Sequence, residues 1–498
     1  RIESCEPHPN ADRLQVCTVS TGSEHFTLVC GAPNARAGLR VALAQVGTRL
    51  KGLKVGSRKV RGIASQGMIC SQAELGIGPS DEGIWELPES YSLGMPIVEA
   101  AKIAPSLVLG ITPNRPDLLS HIGIAREIAA VTGQRLKSVN WRLIEKGGEA
   151  GAAVRVVVDD APACPRYLGR VIRNVTVQES PPWLQRRLEA IGQRPINNIV
   201  DATNYVLFEY GQPLHGFDLA KLESDAGKVV VCVRRPQEGE TLETLDQENR
   251  KLLAHDLVIA DANKPIALAG VIGGANSEVS EETVDVFLEC AYFEPGTVRQ
   301  TAKHHGLHTE ASHRFERGTD PGIVGKALDR CAQLLDELGG GEVCKGVVEV
   351  SQKTEVNRDI TLRIHQIPRL LGISLTPEEV VQLLEPLDIR CVGRNEDSLR
   401  FQAPSFRPDL FREVDLLEEV ARRYGYDQIP EHLPSRSGPF IPEPKTAEPL
   451  SSTARKSLLS SGCSEVVTYA IGSPTTYSQY LKKEQLIRLI NPLGEELS

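Results

Sequence analysis

Six prolines between Pro430 and Pro449 make a stiff stretch that neither a helix nor a strand can run through, and a Gly-, Ala- and Glu-rich stretch from Glu145 to Ala153 reads as a second, softer break. A chain of 498 residues cut in this way has no single core; at about 150 residues per domain it predicts about three domains, with smaller units between them. Hydrophobic residues at 41% and charged residues at 24% place it among globular proteins and exclude wholesale disorder. The net charge of −9 excludes overall attraction to a polyanion, so any nucleic-acid surface must be local. No apolar run approaches the roughly 18–20 residues that a spanning helix needs, and no membrane partner is expected. The 11 cysteines are scattered, no two of them two or three residues apart, which argues against zinc knuckles and disulfide frameworks and for buried thiols in a reducing cytoplasm. Starting at Arg1 and closing just after a new segment opens, the chain is expected to be part of a longer one.

Local charge is informative where the total is not. Between Glu24 and Glu74 there is no acidic residue, yet Arg36, Arg40, Arg49, Lys51, Lys54, Arg58, Lys59 and Arg61 all fall inside, among short β-like stretches such as 40–46 and 67–71 with glycines at their corners. Residues 1–104 therefore predict a small basic barrel, whose Arg58-Lys59-Val60-Arg61 run is either a phosphate-binding groove or a solvated loop. Residues 105–145 read as a helical connection, with a helix over 120–132 capped by Ser120 and stopped by Gly133. A mixed pattern over 150–350, with strands at 154–158 and 229–233 and helices at 183–191 and 323–338, predicts one large α+β domain. A smaller unit over 357–428 contains a capping box at Thr376 and Glu379; residues 430–449 are the proline-rich linker and 450–498 begin another module. No internal repeat stands out.

Three constellations carry chemistry. Glu289 sits in Val286-Phe287-Leu288-Glu289-Cys290-Ala291-Tyr292-Phe293, where both period-two faces are apolar, so its carboxyl must find a donor, bind a ligand or hold a proton; a structural ion pair is the alternative. Four of the 11 histidines fall between His304 and His313; His304 and His308 have the separation of a helical metal pair, but Gly306 between them weakens that helix, and donors around a polar substrate or phosphate suit the run better. Asp409, Asp415, Glu418 and Glu419 fit one side of a helix over 412–424, either as oxygens for a hard cation such as magnesium or as surface pairs with Arg422 and Arg423. No Gly-x4-Gly-Lys-Ser/Thr loop is present, and Gly270-x2-Gly273-Gly274 is not a dinucleotide fingerprint, so ATP chemistry has no home in the chain.

Taken in order, His8-Pro9-Asn10-Ala11-Asp12-Arg13-Leu14, Cys30-Gly31-Ala32-Pro33-Asn34, Asn114-Arg115-Pro116-Asp117, Asn197-Asn198-Ile199-Val200-Asp201, Pro213-Leu214-His215-Gly216-Phe217-Asp218, Leu288-Glu289-Cys290-Ala291, His308 to Arg314 and Arg407-x-Asp409 resemble the β subunit of bacterial-type phenylalanyl-tRNA synthetase, over nearly the whole chain. The resemblance implies a multidomain α+β fold: an N-terminal OB-fold barrel, a large α+β editing domain, a small winged-helix-like, DNA-binding-type domain, and the start of a catalytically silent class II synthetase-like module. It implies hydrolysis of tyrosine wrongly attached to phenylalanine tRNA, with His215 and Glu289 as catalytic residues and Gly273, Gly274, Thr309 and Ala311 lining the pocket. A second sieve of this kind has a physical reason, since a pocket shaped for an apolar ring cannot strongly exclude the same ring bearing a hydroxyl. The resemblance further implies magnesium on Asp409, Asp415, Glu418 and Glu419, and tRNA contacts from Arg49, Lys51, Lys54, Arg58, Lys59 and Arg61. The implied partners are an α subunit, which holds the ATP and amino-acid site in an α2β2 heterotetramer, and the phenylalanine tRNA. A non-catalytic tRNA-binding or assembly protein and a metal-dependent hydrolase of another substrate are the rival classes.

Overall fold

The computed structural model describes residues 1–50, 53–76, 83–89, 91–100, 106–137, 139, 141–352, 358–431, 447–482, 485–494 and 497. Arg1–Pro430 form one compact unit and Glu431–Ser498 a second. In the first, β1 (Ile2–Pro7), β2 (Gln15–Ser20) and β3 (His25–Cys30) make an antiparallel meander whose alternating Cys17, Val19, Leu28 and Cys30 point into a small core with Ile2, Ile69 and Ile84. Short strand pairs continue it. The single strand expected over 40–46 is two, Arg40–Val41 and Leu43–Gln45, which pair with Glu86–Leu87 and Gly67–Ile69 respectively.

The stretch from Glu145 to Ala153 is not a linker. The Lys146 and Gly147 amides donate to Val343 O, Ala150 N donates to Lys345 O, and Ala150 is buried, so small residues here allow close packing. Of the expected proline linker, residues 432–446 lie outside the described residues. The second unit contains a helix at Ala447–Ser460 and a short one at Pro474–Tyr477.

The helix expected after Ser120 is α1 (His121–Thr132): Ser120 Oγ accepts from Gly123 N, and Gly133 ends it in the left-handed region. The large domain that follows is two sheets and a helix layer. The first sheet runs β4 (Val154–Val158), β7 (Lys228–Arg234), β8 (Val258–Ala260), β9 (Pro265–Leu268), β10 (Ile272–Gly273), parallel only between β4 and β7. The second runs β6 (His215–Asp218), β11 (Val286–Tyr292), β5 (Arg166–Arg173), β12 (Glu342–Val343), with β13 (Val348–Ser351) also on β5. Val156, Val231, Val258 and Ile266 of the first sheet pack against Tyr167, Phe217, Phe287 and Ala291 of the second. The other face of the second sheet, with Leu168, Ile172 and Leu288, is covered by α2 (Asn198–Tyr210) and α5 (Val324–Gly339). β11 is thus buried on both faces, as its sequence predicts. Between these elements lie α3 (Pro295–His304) and α4 (Glu310–Phe315), separated by a turn at Gly306.

The small domain is an antiparallel sheet, β14 (Arg358–Arg363), β16 (Ser398–Ala403), β15 (Arg390–Arg394), covered by α6 (Pro377–Leu384), which opens on the expected capping box, and α7 (Glu413–Tyr424). Among the described residues no helix is long and apolar enough to cross a membrane.

The structure does contain an internal repeat. Residues 115–133 and 407–425 share Arg, Pro, Asp and Leu at their start, then Glu and Ala in a helix, then Gly at its end. Arg115 holds Asp117 bidentately (2.9 and 2.8 Å) and reaches Glu127 (2.6 Å); Arg407 holds Asp409 bidentately (2.9 and 2.8 Å) and reaches Glu419 (2.7 Å). Arg422 joins the copies, donating to Glu127 Oε2 (2.6 Å) and Glu419 Oε2 (2.5 Å). Ala130 of α1 lies in the same core as α6 and α7.

Candidate functional site

Strand pairing across 74 positions of sequence puts His215 of β6 directly opposite Glu289 of β11, with Gly169 of β5 on the other side of Glu289. Period two then turns His215, Phe217, Phe287 and Glu289 to the same face, the one between the two sheets. Glu289 is 6% exposed, and its carboxyl makes no hydrogen bond or ion pair among the described residues. Burial pushes that carboxyl up to about 8. The structural ion pair that the sequence left open is therefore not what occupies this position.

His215 Nε2 is also enclosed without a partner, although the rest of the residue is partly exposed, and burial brings the imidazole down to about 4. Its ring stands edge-on to Phe217, with centroids 4.5 Å apart. Gly273 lies against it: a Cβ there would fall 2.7 Å from Cε1 and 2.8 Å from Nε2 of His215. A Cβ at Gly274 would meet the backbone oxygen of Ile266 at 2.6 Å, so Gly274 is required by close approach, whereas at Gly273 the His215 ring would have to move.

Thr309 is the N-cap of α4. Its Oγ1 accepts from Ser312 N (3.0 Å) and donates to Val271 O (2.8 Å), which fixes the chain two residues before Gly273. That contact ties α4 to the segment leading into β10. Ala311 packs against the core between the sheets. The six expected residues are thus linked through β6, β10, β11 and the start of α4.

Two groups that the sequence reading missed are buried on the same sheet system without full partners. Tyr167, on β5 two positions from Gly169, has an unpartnered hydroxyl pushed well up by burial and by the Glu289 carboxyl. Gln212 donates from Nε2 to Ala291 O (2.8 Å) and leaves Oε1 unpartnered. Alternation along β5 was the available signal for Tyr167; Gln212, just ahead of His215, had none.

The carboxylate quartet is arranged otherwise than expected. Asp409 and Glu419 are paired with Arg407, and Glu419 also with Arg422; Asp415 accepts from the Phe411 and Arg412 amides; Glu418 is exposed. Burial raises the Glu419 carboxyl, but the two arginines outweigh it and hold the group below its ordinary range. No three of the four bring oxygens within 4.8 Å of one another. As arranged, the set does not fit a magnesium cradle, because guanidinium and backbone amides already satisfy three of its members. The helical pair His304 and His308 is likewise absent, since α3 ends at His304 and Gly306 turns the chain.

Arg49, Lys54, Arg58, Lys59 and Arg61 are exposed on two hairpins, Arg49–Leu50 with Leu53–Lys54 and Arg58–Val60 with Ile63–Ser65, and form no ion pair among the described residues. Lys51 lies outside the described residues. Arg36, by contrast, is paired with Glu86.

Four family models match successive stretches of the chain. Residues 1–96 match the model described as "Putative tRNA binding domain", 163–340 the "B3/4 domain", 360–426 the "tRNA synthetase B5 domain", and 429–498 the "Phenylalanyl tRNA synthetase beta chain CLM domain". The phenylalanine–tRNA ligase β subunit of Geobacter sulfurreducens is 43% identical over 502 residues, 99% of this chain and 62% of that protein. That of Geobacter metallireducens is 44% identical over 504 residues, 100% of this chain and 62% of its own length. The chain belongs to the phenylalanine–tRNA ligase β-subunit family. It spans 62% of the length of these relatives. A solved N-terminal fragment of the phenylalanyl-tRNA synthetase β-subunit from Pyrococcus horikoshii covers 63% of the chain and is itself covered over 85%, at 17% identity and a TM-score of 0.32, a likeness too low to carry an argument. Within the family match, the B3/4 region holds the Glu289–His215 pair and the B5 region holds α7 with its arginine-bound carboxylates.

Proposed function

We propose that this chain serves as the β-subunit part of a phenylalanine–tRNA ligase, and that its α+β domain hydrolyses tyrosine from mischarged tRNA. The observation that carries the reading is a pair of unpartnered buried groups, Glu289 and His215 Nε2, on adjacent strands. An unsatisfied buried polar group costs about 1–3 kcal/mol, which a ligand with complementary atoms recovers. With its pKa near 8, Glu289 holds a proton at neutral pH and can both donate to and accept from a phenol hydroxyl. Phenylalanine offers nothing to it. A site built to hydrogen-bond a hydroxyl discriminates against the analogue lacking it by about 10^4–10^5.

His215, neutral at the same pH, can hold the attacking water or the 3′-terminal ribose through Nε2. Hydrolysis then joins water oxygen to the acyl carbon and returns the ester oxygen to the ribose as a hydroxyl, one water proton going to each product in net terms. The exposed basic hairpins of the N-terminal barrel suit the tRNA backbone. Attachment of phenylalanine itself, with ATP, would belong to an α-subunit partner in an α2β2 assembly.

The deciding experiment compares deacylation of tyrosyl-tRNA and phenylalanyl-tRNA by the protein with and without its α partner. Hydrolysis of the tyrosyl ester alone, reduced about 10²-fold or more by Glu289→Ala, is expected. Wild-type rates in that variant defeat the assignment of Glu289, and tRNA binding without any deacylation leaves only an assembly role.

A further inference from the structure

The turn after α3 and the helix α4 bring together three donors that the hydrolytic reading does not use. His308 Nε2 and His313 Nδ1 are 3.3 Å apart, and one ring nitrogen of each histidine and a Glu316 carboxylate oxygen all lie within 4.8 Å of one another. Two nitrogens bonded at about 2.0–2.1 Å to a tetrahedral centre stand about 3.3–3.4 Å apart, so the imidazoles already have the separation of zinc ligands. Spacing supports the convergence: His313 and Glu316 are three apart, on one side of the last turn of α4, while His308 precedes the N-cap Thr309 and reaches over the first turn. The ring planes are steeply inclined, at 68°, so the rings do not stack.

The position already holds a positive group. Arg317 Nη1 lies 3.1 Å from His313 Nδ1 and also donates to Glu316 Oε1 and to His313 O (2.8 Å). A guanidinium there stands where a cation bound to the same nitrogen and carboxylate would stand.

We infer that His308, His313 and Glu316 form a site for a divalent transition metal of the zinc class, which Arg317 occupies in the metal's place when no metal is bound. Two imidazoles and one carboxylate leave the fourth position to water. The bound ion staples the residues before Thr309 to the end of α4, and Arg317 turns away as it enters. Magnesium and calcium, which prefer all-oxygen shells, are excluded by the two nitrogens.

Cobalt(II), whose visible absorption reports tetrahedral ligation, is the probe. Titrated into the full chain, it is expected to give one equivalent of tetrahedral-type absorption that zinc displaces. His308→Gln and His313→Gln should each weaken cobalt binding by about tenfold or more. Arg317→Gln should tighten it, because the competing guanidinium is gone. Cobalt affinity unchanged in both histidine variants, or an Arg317→Gln variant that binds no more tightly than the parent, overturns the site. Should His313→Gln fail to fold, the exposed His308→Gln decides alone, with circular dichroism as the fold control.

Discussion

Burial acts on Glu289 and His215 in opposite directions because it disfavours charge, whichever sign that charge has. Folded Glu289 keeps its proton up to about 8, whereas the unfolded chain releases it near its ordinary value of 4.5. Across that window the folded state holds more protons, so this group's contribution to stability falls as pH rises and levels off above 8. His215 gives the mirror case: the folded state holds fewer protons between 6.5 and 4, and stability falls as pH drops through that range. Glu289→Gln should therefore exceed the parent in stability by a margin that grows from pH 4.5 to pH 8 in denaturant titrations. A margin that stays constant over that range would remove burial as the cause. Gly273→Ala should leave the fold intact while displacing the His215 ring, lowering tyrosyl-tRNA deacylation without loss of tRNA binding; undiminished deacylation would show that the imidazole position does not matter. Glu289 was legible in the sequence because apolar residues flank it on both period-two faces. His215 came only with the family resemblance, since its pairing with Glu289 depends on which strands become neighbours, and no local pattern encodes that.

Elements were read well where their own residues end them. Ser120 and Gly133 bracket α1, and Thr376 with Glu379 open α6, through hydrogen bonds that close within a few residues. The repeated Arg-Pro-Asp motif is written in few identities over 19 residues, and its meaning, an arginine reaching a glutamate on the following helix, exists only once the helix has formed and folded back. That motif also bears on the metal expectation for α7, because its arginine occupies two of the four carboxylates. Arg407 is 1% exposed, so Arg407→Ala takes from Asp409 its guanidinium partner and leaves buried Glu419 with Arg422 alone, and should cost about 3–5 kcal/mol in unfolding free energy. Arg412→Ala, at an exposed pair with Asp415, should cost about 0–1 kcal/mol. If the arginines rather than a cation neutralise these carboxylates, adding magnesium to the metal-stripped protein should leave the thermal midpoint unchanged. A fall on chelation, restored by magnesium, would reinstate the ion.

At the scale of the whole molecule, the order of units was visible from composition: the acid-free basic stretch, the mixed α+β pattern and the capped small domain appear in that sequence. The stretch from Glu145 to Ala153 misled because small residues serve equally for a flexible tether and for a tight seat against β12 and its neighbours. Free of ion pairs among the described residues, the N-terminal basic hairpins should contribute to any tRNA binding chiefly through phosphates. Arg58→Gln with Lys59→Gln is expected to weaken binding similarly for different tRNAs and to reduce the salt slope by about one per lost contact. A slope equal to the parent's would place the tRNA elsewhere. From α4 the connections run outward: Arg314 donates to Leu119 O (2.9 Å), Leu119 leads into α1, and Glu127 of α1 meets Arg422 of α7. A load placed on the small domain would thus have a continuous path of polar contacts to the helix capped by Thr309.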